Sequence, residues 1–241
     1  SPKQIVLSVA APQHIDTKIL DEIYRGIKAQ CQRYKLNVLG GDTVRTEGPM
    51  VWTVTIIGEV PKGTAVMRSG AQVGDVVGIT NYVGYAATGL GALSYNLEGY
   101  DMTKIGHQRP DPQIELGEQL RQLGIHCMND ISDGLGSELN EIASASNVSI
   151  VIEEKAIPLH EETYELAKYL QTNPVDYALY GGEDFQLVFT APKSLVPKLE
   201  QLAGITLIGE VVSGSPKVQM VTQDRTIKTI EAKGYNHFHE S

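Results

Sequence analysis

The stretch CMNDISDGLGSEL, residues 127–139, has the pattern of a short strand, a glycine turn and the first turns of a helix. Asp130 and Asp133 stand on either side of Ser132, and apolar residues recur at helical spacing from Leu135 onward. Two interpretations are open. Ser132 or Asp133 caps the helix, or Asp130 and Asp133 bind a metal ion.

The two interpretations account for different residues. Capping explains Asp133, with Glu138 in the first helical turn, but a residue as far before the cap as Asp130 gains nothing from the helix N–H groups. Magnesium prefers hard oxygen ligands and is usually bound through one or two carboxylates together with substrate phosphates. The start of a helix also favours a phosphate group.

Strands and helices alternate through the chain on both sides of this stretch, which predicts an α/β (α+β) protein. The predicted strands lie at 76–80, 148–153, 185–192 and 205–212, with a strand-like approach to Asp130 and a short final pair. The predicted helices lie at 85–95, 112–123, 135–146, 161–170 and 194–203. Glycines again interrupt the pattern of predicted strands and helices near residues 61–66. We therefore predict two domains, 1–63 and 64–241.

The first of these domains has a simple pattern. QIVLSVAAP predicts a strand in the middle of a sheet, and residues 15–35 predict an amphipathic helix with Asp16 near its start. NVLGGDTVRTEGP predicts a short strand and a glycine turn, and MVWTVTIIGEVP predicts a β-branched strand.

Composition excludes several classes of function. The 241 residues carry a net charge of −9 without a basic stripe, which disfavours binding to nucleic acid or to an anionic membrane. A polyanionic ligand would need a cation as intermediary. Cys31 and Cys127 are isolated and predict reduced core thiols in a cytoplasmic protein. The chain opens without the pattern of a signal peptide, and no apolar run reaches the length that spans a bilayer.

Three further clusters combine glycine with other small or acidic residues: GGDT at 40–43, VGYAATGLGAL at 83–93 and GGEDF at 181–185. Each is consistent with an ordinary turn or with a backbone that approaches a ligand closely. The second lacks the lysine of a Walker loop, so helix packing and phosphate contact both stay open. Arg68 is either a solvated charge or a bidentate phosphate clamp. The histidines form no zinc or hydrolase motif.

Taken in order, LGGDTVR, GEVPKG, RSGAQVGD, RPDP, NDISDGL, GGEDFQLVFT and the terminal GYNHF closely resemble the thiamine-monophosphate kinase family. This family lies within the superfamily of aminoimidazole-ribonucleotide synthetase-like ATP-binding proteins, and the resemblance covers essentially the whole chain. It implies the two-domain fold of that superfamily, a homodimer, and ATP-dependent phosphorylation of thiamine monophosphate to thiamine diphosphate with several Mg²⁺ ions.

The resemblance also implies roles for single residues. Gly41, Asp42, Arg68 and Ser132 would contact ATP; Asp42, Asp130 and Asp133 would bind magnesium; Glu183 and Tyr235 would contact thiamine monophosphate. No side chain is implied as an acid or base, because the attacking phosphate oxygen is already anionic. The family often has Tyr where this chain has Phe185.

One departure from the family pattern is larger. Family members carry an earlier N-terminal segment with further aspartates and strands that close a barrel across the dimer. We therefore expect a truncated N-terminal domain ahead of a complete C-terminal α/β domain, and little or no activity of the 241 residues by themselves. Two alternatives remain: another ATP-dependent synthetase of the superfamily, or a non-catalytic module that binds nucleotide or thiamine phosphate.

Overall fold

The computed structural model describes residues 1–233. The chain divides into two compact units, Ser1–Ala65 (unit 1) and Val66–Ser241 (unit 2). No helix within the described residues combines the length and the apolar character that crossing a membrane requires.

Unit 1 is a three-stranded sheet with one helix. Its elements are β1 (Pro2–Pro12), α1 (Thr17–Arg33), β2 (Asn37–Thr46) and β3 (Val51–Gly58). β1 is the central strand, as predicted, and pairs parallel with β2 and antiparallel with β3. Asp16 caps α1 by accepting a hydrogen bond from the Lys18 N–H at 2.9 Å.

A strand followed by a glycine turn is present in residues 37–49, as predicted, but the strand is longer than expected and the chain bends only at residues 47–49, around Gly48. β2 runs through Gly40 and Gly41 without turning, and Gly41 lies opposite Leu7 of β1. A Cβ atom on Gly41 would lie 1.6 Å from the Leu7 carbonyl oxygen. Glycine is needed here because the two strands approach closely beside a shift in register, and not because the chain reverses.

Unit 2 contains a seven-stranded sheet in the order β10-β9-β6-β8-β4-β7-β5, in which every neighbouring pair is antiparallel except β6 with β9. The strands are β4 (Val76–Thr80), β5 (Cys127–Ile131), β6 (Ser149–Glu153), β7 (Gln186–Ala191), β8 (Ile205–Val212), β9 (Lys217–Val221) and β10 (Ile227–Ile230). The α-helices are α2 (Tyr85–Ser94), α3 (Asp101–Gln108), α4 (Ile114–Leu123), α5 (Leu135–Ser146), α6 (Glu161–Leu170), α7 (Pro174–Tyr180) and α8 (Val196–Leu199).

Apolar side chains cover both faces of this sheet. On β7, Val188 belongs to the cluster that contains Leu135 and Leu139 of α5, whereas Phe189 belongs to the cluster that contains Leu120 of α4. This alternation follows from the two-residue period of a strand. The sheet therefore fixes the position of α5, and with it the turn that joins β5 to α5.

The predicted helix at 194–203 is shorter than expected. A 3₁₀ turn at Lys193–Leu195 precedes α8, and α8 ends at Leu199. Proline has no N–H and is tolerated only in the first turn of a helix, so Pro197 allows the regular helix to begin only just before it.

Candidate functional site

The turn between β5 and α5 presents the two aspartates of the opening stretch to solvent. β5 is the edge strand of the sheet, and Ile131 is buried in the core while its neighbour Asp130 is exposed. Asp133 is exposed as well, and Ser132 is partly buried. Both carboxylates are therefore accessible within a segment whose ends are held by the sheet and by α5.

The prediction that Ser132 or Asp133 caps α5 was wrong. The capping position belongs to Gly134, which has no side chain to accept a hydrogen bond and has a φ of +97°. A Cβ atom on Gly134 would lie 2.6 Å from the Leu179 carbonyl oxygen, so this tight approach to the end of α7 selects glycine. Asp133 is therefore not committed to the helix and keeps its side chain for other contacts.

Glu138 in the first turn of α5 holds the loop instead. Its carboxylate accepts hydrogen bonds from the Asp133 N–H and the Ser132 hydroxyl, both at 3.3 Å, and from the Asn129 amide. The residue is only 5% exposed, and burial raises the pKa of its carboxyl group, with a further contribution from the charge of Asp130. The sequence pattern indicated only a residue in the first helical turn, so this function was missed.

The GGEDF segment is fastened to the same turn through the backbone. The Glu183 N–H donates to the Ser132 carbonyl oxygen at 2.7 Å, and the Phe185 N–H donates to the Ile131 carbonyl oxygen at 2.9 Å. A Cβ atom on Gly182 would lie 2.6 Å from the Ser132 carbonyl oxygen. The structure therefore joins the segment of Asp130, Ser132 and Asp133 to the segment of Glu183.

Glu183 and Asp184 are neighbours in this segment, but the first side chain is exposed to solvent and the second is buried. Glu183 has a φ of +58° and a side chain that is 66% exposed, whereas Asp184 is 4% exposed. The Asp184 carboxylate accepts hydrogen bonds from the Gly84 N–H at 2.6 Å and the Ala86 N–H at 2.9 Å. Burial raises the pKa of Asp184 to about 6, against the opposing effect of these backbone donors. Asp184 thus anchors the loop and leaves Glu183 free to meet a ligand.

The same hydrogen bonds decide between the two interpretations of VGYAATGLGAL. The first N–H groups of α2 are occupied by Asp184, which leaves them committed to the protein itself. A Cβ atom on Gly89 would lie 2.1 Å from the Thr103 carbonyl oxygen of α3. The glycines of this segment therefore serve close packing, and phosphate contact is not supported.

Arg68 lies beside the outer edge of β5. The Met128 N–H donates to the Met67 carbonyl oxygen at 3.0 Å, which extends the sheet by one short contact. The Arg68 guanidinium is 2.7 Å from the Glu141 carboxylate of α5, and both side chains are about half exposed. Arg68 is thus neither a freely solvated charge nor buried, and a phosphate group would compete with Glu141 for it.

Gly41 and Asp42 belong to unit 1. Asp42 is exposed on β2, opposite Ser8 of β1, and its carboxylate accepts a hydrogen bond from the Thr43 N–H at 2.9 Å. Within residues 1–233 no group of three or more His, Cys, Asp and Glu side chains is arranged to bind a metal. Asp130 and Asp133 nevertheless supply the hard oxygen donors that magnesium prefers.

Models of two domains of one protein family match the chain. The N-terminal domain of AIR synthase related proteins matches residues 1–60, and the C-terminal domain of the same family matches residues 72–221. The thiamine-monophosphate kinase of Bacillus subtilis (strain 168) is 36% identical over 98% of this chain and 75% of its own length. The chain belongs to the thiamine-monophosphate kinase family.

Solved structures agree with this assignment. The crystal structure of thiamine monophosphate kinase from Aquifex aeolicus has a TM-score of 0.82 and 30% identity, covering 93% of this chain and 75% of that one. AaThiL complexed with AMPPCP and TMP has a TM-score of 0.81 and 32% identity, covering 98% of this chain and 74% of that one. The two-domain fold expected from the resemblance is confirmed.

In terms of this thiamine-monophosphate kinase family, unit 2 brings together Ser132, the two aspartates around it and Glu183. Tyr235 lies outside the described residues. Glu138 and Asp184 were missed by the sequence analysis as residues that hold the site. Their only signal was an acidic residue near a glycine turn, and such residues are common in proteins.

Proposed function

We propose that the protein as encoded transfers the γ-phosphoryl group of ATP directly to thiamine monophosphate and so forms thiamine diphosphate. The observation that carries the proposal is the hydrogen bond between the Glu183 N–H and the Ser132 carbonyl oxygen, which joins two segments with different implied ligands. Family membership supplies the reaction, and AaThiL was solved with AMPPCP and TMP together.

The proposed chemistry needs no side-chain base. The nucleophile is a phosphate oxygen that is already anionic, so the protein must align two polyanions for in-line transfer and neutralise their charge. This agrees with a site whose carboxylates are exposed, since magnesium held by them would neutralise the charge of the phosphates.

We assign residues accordingly. Asp42, Asp130 and Asp133 would bind Mg²⁺; Gly41, Asp42, Arg68 and Ser132 would contact ATP; Glu183 and Tyr235 would contact thiamine monophosphate. Burial is the main cause of the raised pKa of the Glu138 carboxyl group, and the nearby charges of Asp130 and Asp133 add to it. A cation between these carboxylates would relieve that repulsion.

Two further proposals concern the oligomeric state of the protein and its location in the cell. The face of the unit 1 sheet that points away from α1 exposes large apolar side chains, which supports a homodimer that buries them: Val44, Val51 and Ile57. Cys31 and Cys127 are free and buried, which supports a location in the reducing cytoplasm.

The direct experiment supplies the protein as encoded with ATP and thiamine monophosphate and measures thiamine diphosphate by chromatography. We expect product with Mg²⁺ and none with excess EDTA. Absence of product at any Mg²⁺ concentration would contradict the proposal, provided that the protein is folded. Thermal stabilisation by an aminoimidazole precursor, without stabilisation by thiamine phosphates, would instead favour a synthetase of the superfamily.

A further inference from the structure

His107 faces Glu183 from the last turn of α3. Its Nδ1 atom is buried and has no hydrogen-bond partner among residues 1–233, and it lies 3.9 Å from Glu183 Oε2. That separation is too long for a hydrogen bond. A buried nitrogen without a partner is costly, so a ligand that supplies the partner gains affinity.

The position of His107 is fixed by packing. A Cβ atom on its neighbour Gly106 would lie 2.2 Å from the ring of Tyr85, so α3 rests directly on that ring. At the start of α3, the Thr103 N–H and hydroxyl donate to the Glu162 carboxylate of α6 at 2.8 and 2.7 Å. The imidazole is therefore presented by a helix that is held at both ends.

Glu183 is fixed to the same frame. Its neighbour Asp184 accepts hydrogen bonds from the N–H groups of Gly84 and Ala86, which flank Tyr85 in the chain. The ring on which α3 rests thus belongs to the segment that anchors the Glu183 loop. The two polar groups therefore face each other across a gap whose two sides belong to one packed unit.

We propose that His107 is a specificity-determining residue that binds the aminopyrimidine ring of thiamine monophosphate together with Glu183. This inference rests on the proposed function. An aminopyrimidine edge places an amino donor next to a ring-nitrogen acceptor. The Glu183 carboxylate accepts from the amino group, and His107, with its proton on Nδ1, donates to the ring nitrogen. A base or sugar without this donor and acceptor pair would leave one of the two residues unpaired.

The experiment compares two substrates in wild type and variants. One is thiamine monophosphate, and the other is an analogue in which a methyl group replaces the aminopyrimidinylmethyl group on the thiazolium nitrogen. His107→Phe keeps a ring but removes the polar atoms. We expect it to lower kcat/KM for thiamine monophosphate by roughly three- to tenfold, the loss of one hydrogen bond, and to leave the analogue unchanged. KM for ATP should not move.

Two variants control for stability. His107→Asn retains a donor near the Nδ1 position and should restore part of the preference for thiamine monophosphate. His126→Gln removes a histidine at the other end of β5 that contacts Asp75 at 3.1 Å, and it should change the melting temperature without changing the preference. If His107→Phe does not fold, His107→Ala takes its place.

An equal loss on both substrates, or no loss, in an active and folded His107 variant would overturn the inference. Absence of thiamine diphosphate formation by the wild type would instead contradict the proposed function itself. The two failures are therefore distinguishable.

Discussion

Asp130 is the residue whose role is most open to direct test. It is exposed at the end of an edge strand and, because Glu138 and Gly134 organise the start of α5, it has no part in the helix cap. We expect Asp130→Asn to lower kcat by at least about tenfold, as for weakened metal binding, while the unfolding free energy changes by less than about 1 kcal/mol.

Turnover and urea denaturation of the same preparation check this prediction. Glu200→Gln, at an exposed carboxylate after α8, serves as the control and should change neither quantity. A large loss of stability with unchanged turnover would return Asp130 to a structural role.

The raised pKa of Asp184 predicts that the free energy of unfolding depends on pH. The carboxyl group titrates near 3.8 in the unfolded chain and at about 6 in the folded protein, so between these values the folded state binds more protons. The free energy of unfolding should therefore decrease, by up to about 3 kcal/mol from this group, as pH rises from about 4 to about 6.

Urea denaturation of wild type and Asp184→Asn across this pH range isolates the contribution, since other carboxyl groups titrate in both proteins. Asparagine cannot accept from both the Gly84 and Ala86 N–H groups, so the variant should be less stable but should lack this slope. Parallel curves for the two proteins would show that Asp184 does not titrate with the raised pKa.

At the scale of elements, the contact to be tested is the one that joins the DISDGL segment to the GGEDF segment through backbone hydrogen bonds. Gly182 has a φ of +72°, and a side chain there would collide with the Ser132 carbonyl oxygen. We expect Gly182→Ala to raise KM for both ATP and thiamine monophosphate and to cost more than about 1 kcal/mol of stability, because the collision adds to the backbone strain.

Gly99 provides a matched control within unit 2. Its φ is +74°, but a Cβ atom there would have no neighbour within 4 Å. Gly99→Ala should therefore show the cost of backbone strain alone, with unchanged KM values. Equal effects of the two substitutions on stability and on the KM values would mean that the contact between Gly182 and Ser132 does not position the segments that bind ATP and thiamine monophosphate.

Most elements were predictable because their patterns are local. Hydrophobic periodicity placed β4, α2, β5, α5 and α6 within a few residues of their positions. α3 and α7 were missed, because both are short and α3 depends on contacts with Gly89 and Glu162 from other parts of the chain. β2 is longer than predicted because the sequence does not show that a neighbouring strand approaches Gly40 and Gly41 closely.

Only part of the candidate site could be predicted from the sequence. The motifs named the exposed residues, Asp130, Ser132, Asp133 and Glu183, but not the buried groups that hold them. Asp184 acts through hydrogen bonds from backbone N–H groups far away in the chain, and Glu138 acts through hydrogen bonds from the turn that precedes its own helix. A single sequence carries no sign of such partners until the fold brings them together.

At the scale of the whole molecule, the apolar sheet of unit 1 predicts self-association. Val51 and Ile57 of β3 are exposed on the face of the sheet that points away from Leu7 and α1. Sedimentation of the wild type should show a dimer, and the double variant Val51→Lys with Ile57→Lys should shift it toward monomer. Tyr169→Lys, at an exposed site on α6, should remain dimeric. A monomeric wild type at micromolar concentration would contradict the homodimer.

The destination of the γ-phosphoryl group tests the central claim most directly. ATP carrying radioactive phosphorus at the γ position is incubated with thiamine monophosphate, Mg²⁺ and the protein as encoded, and the products are separated. Direct transfer predicts that the label appears in thiamine diphosphate in equal amount to the ADP formed, and that Asp130→Asn reduces both together. Label recovered as inorganic phosphate, with thiamine monophosphate unchanged, would contradict a kinase and show that ATP is hydrolysed instead.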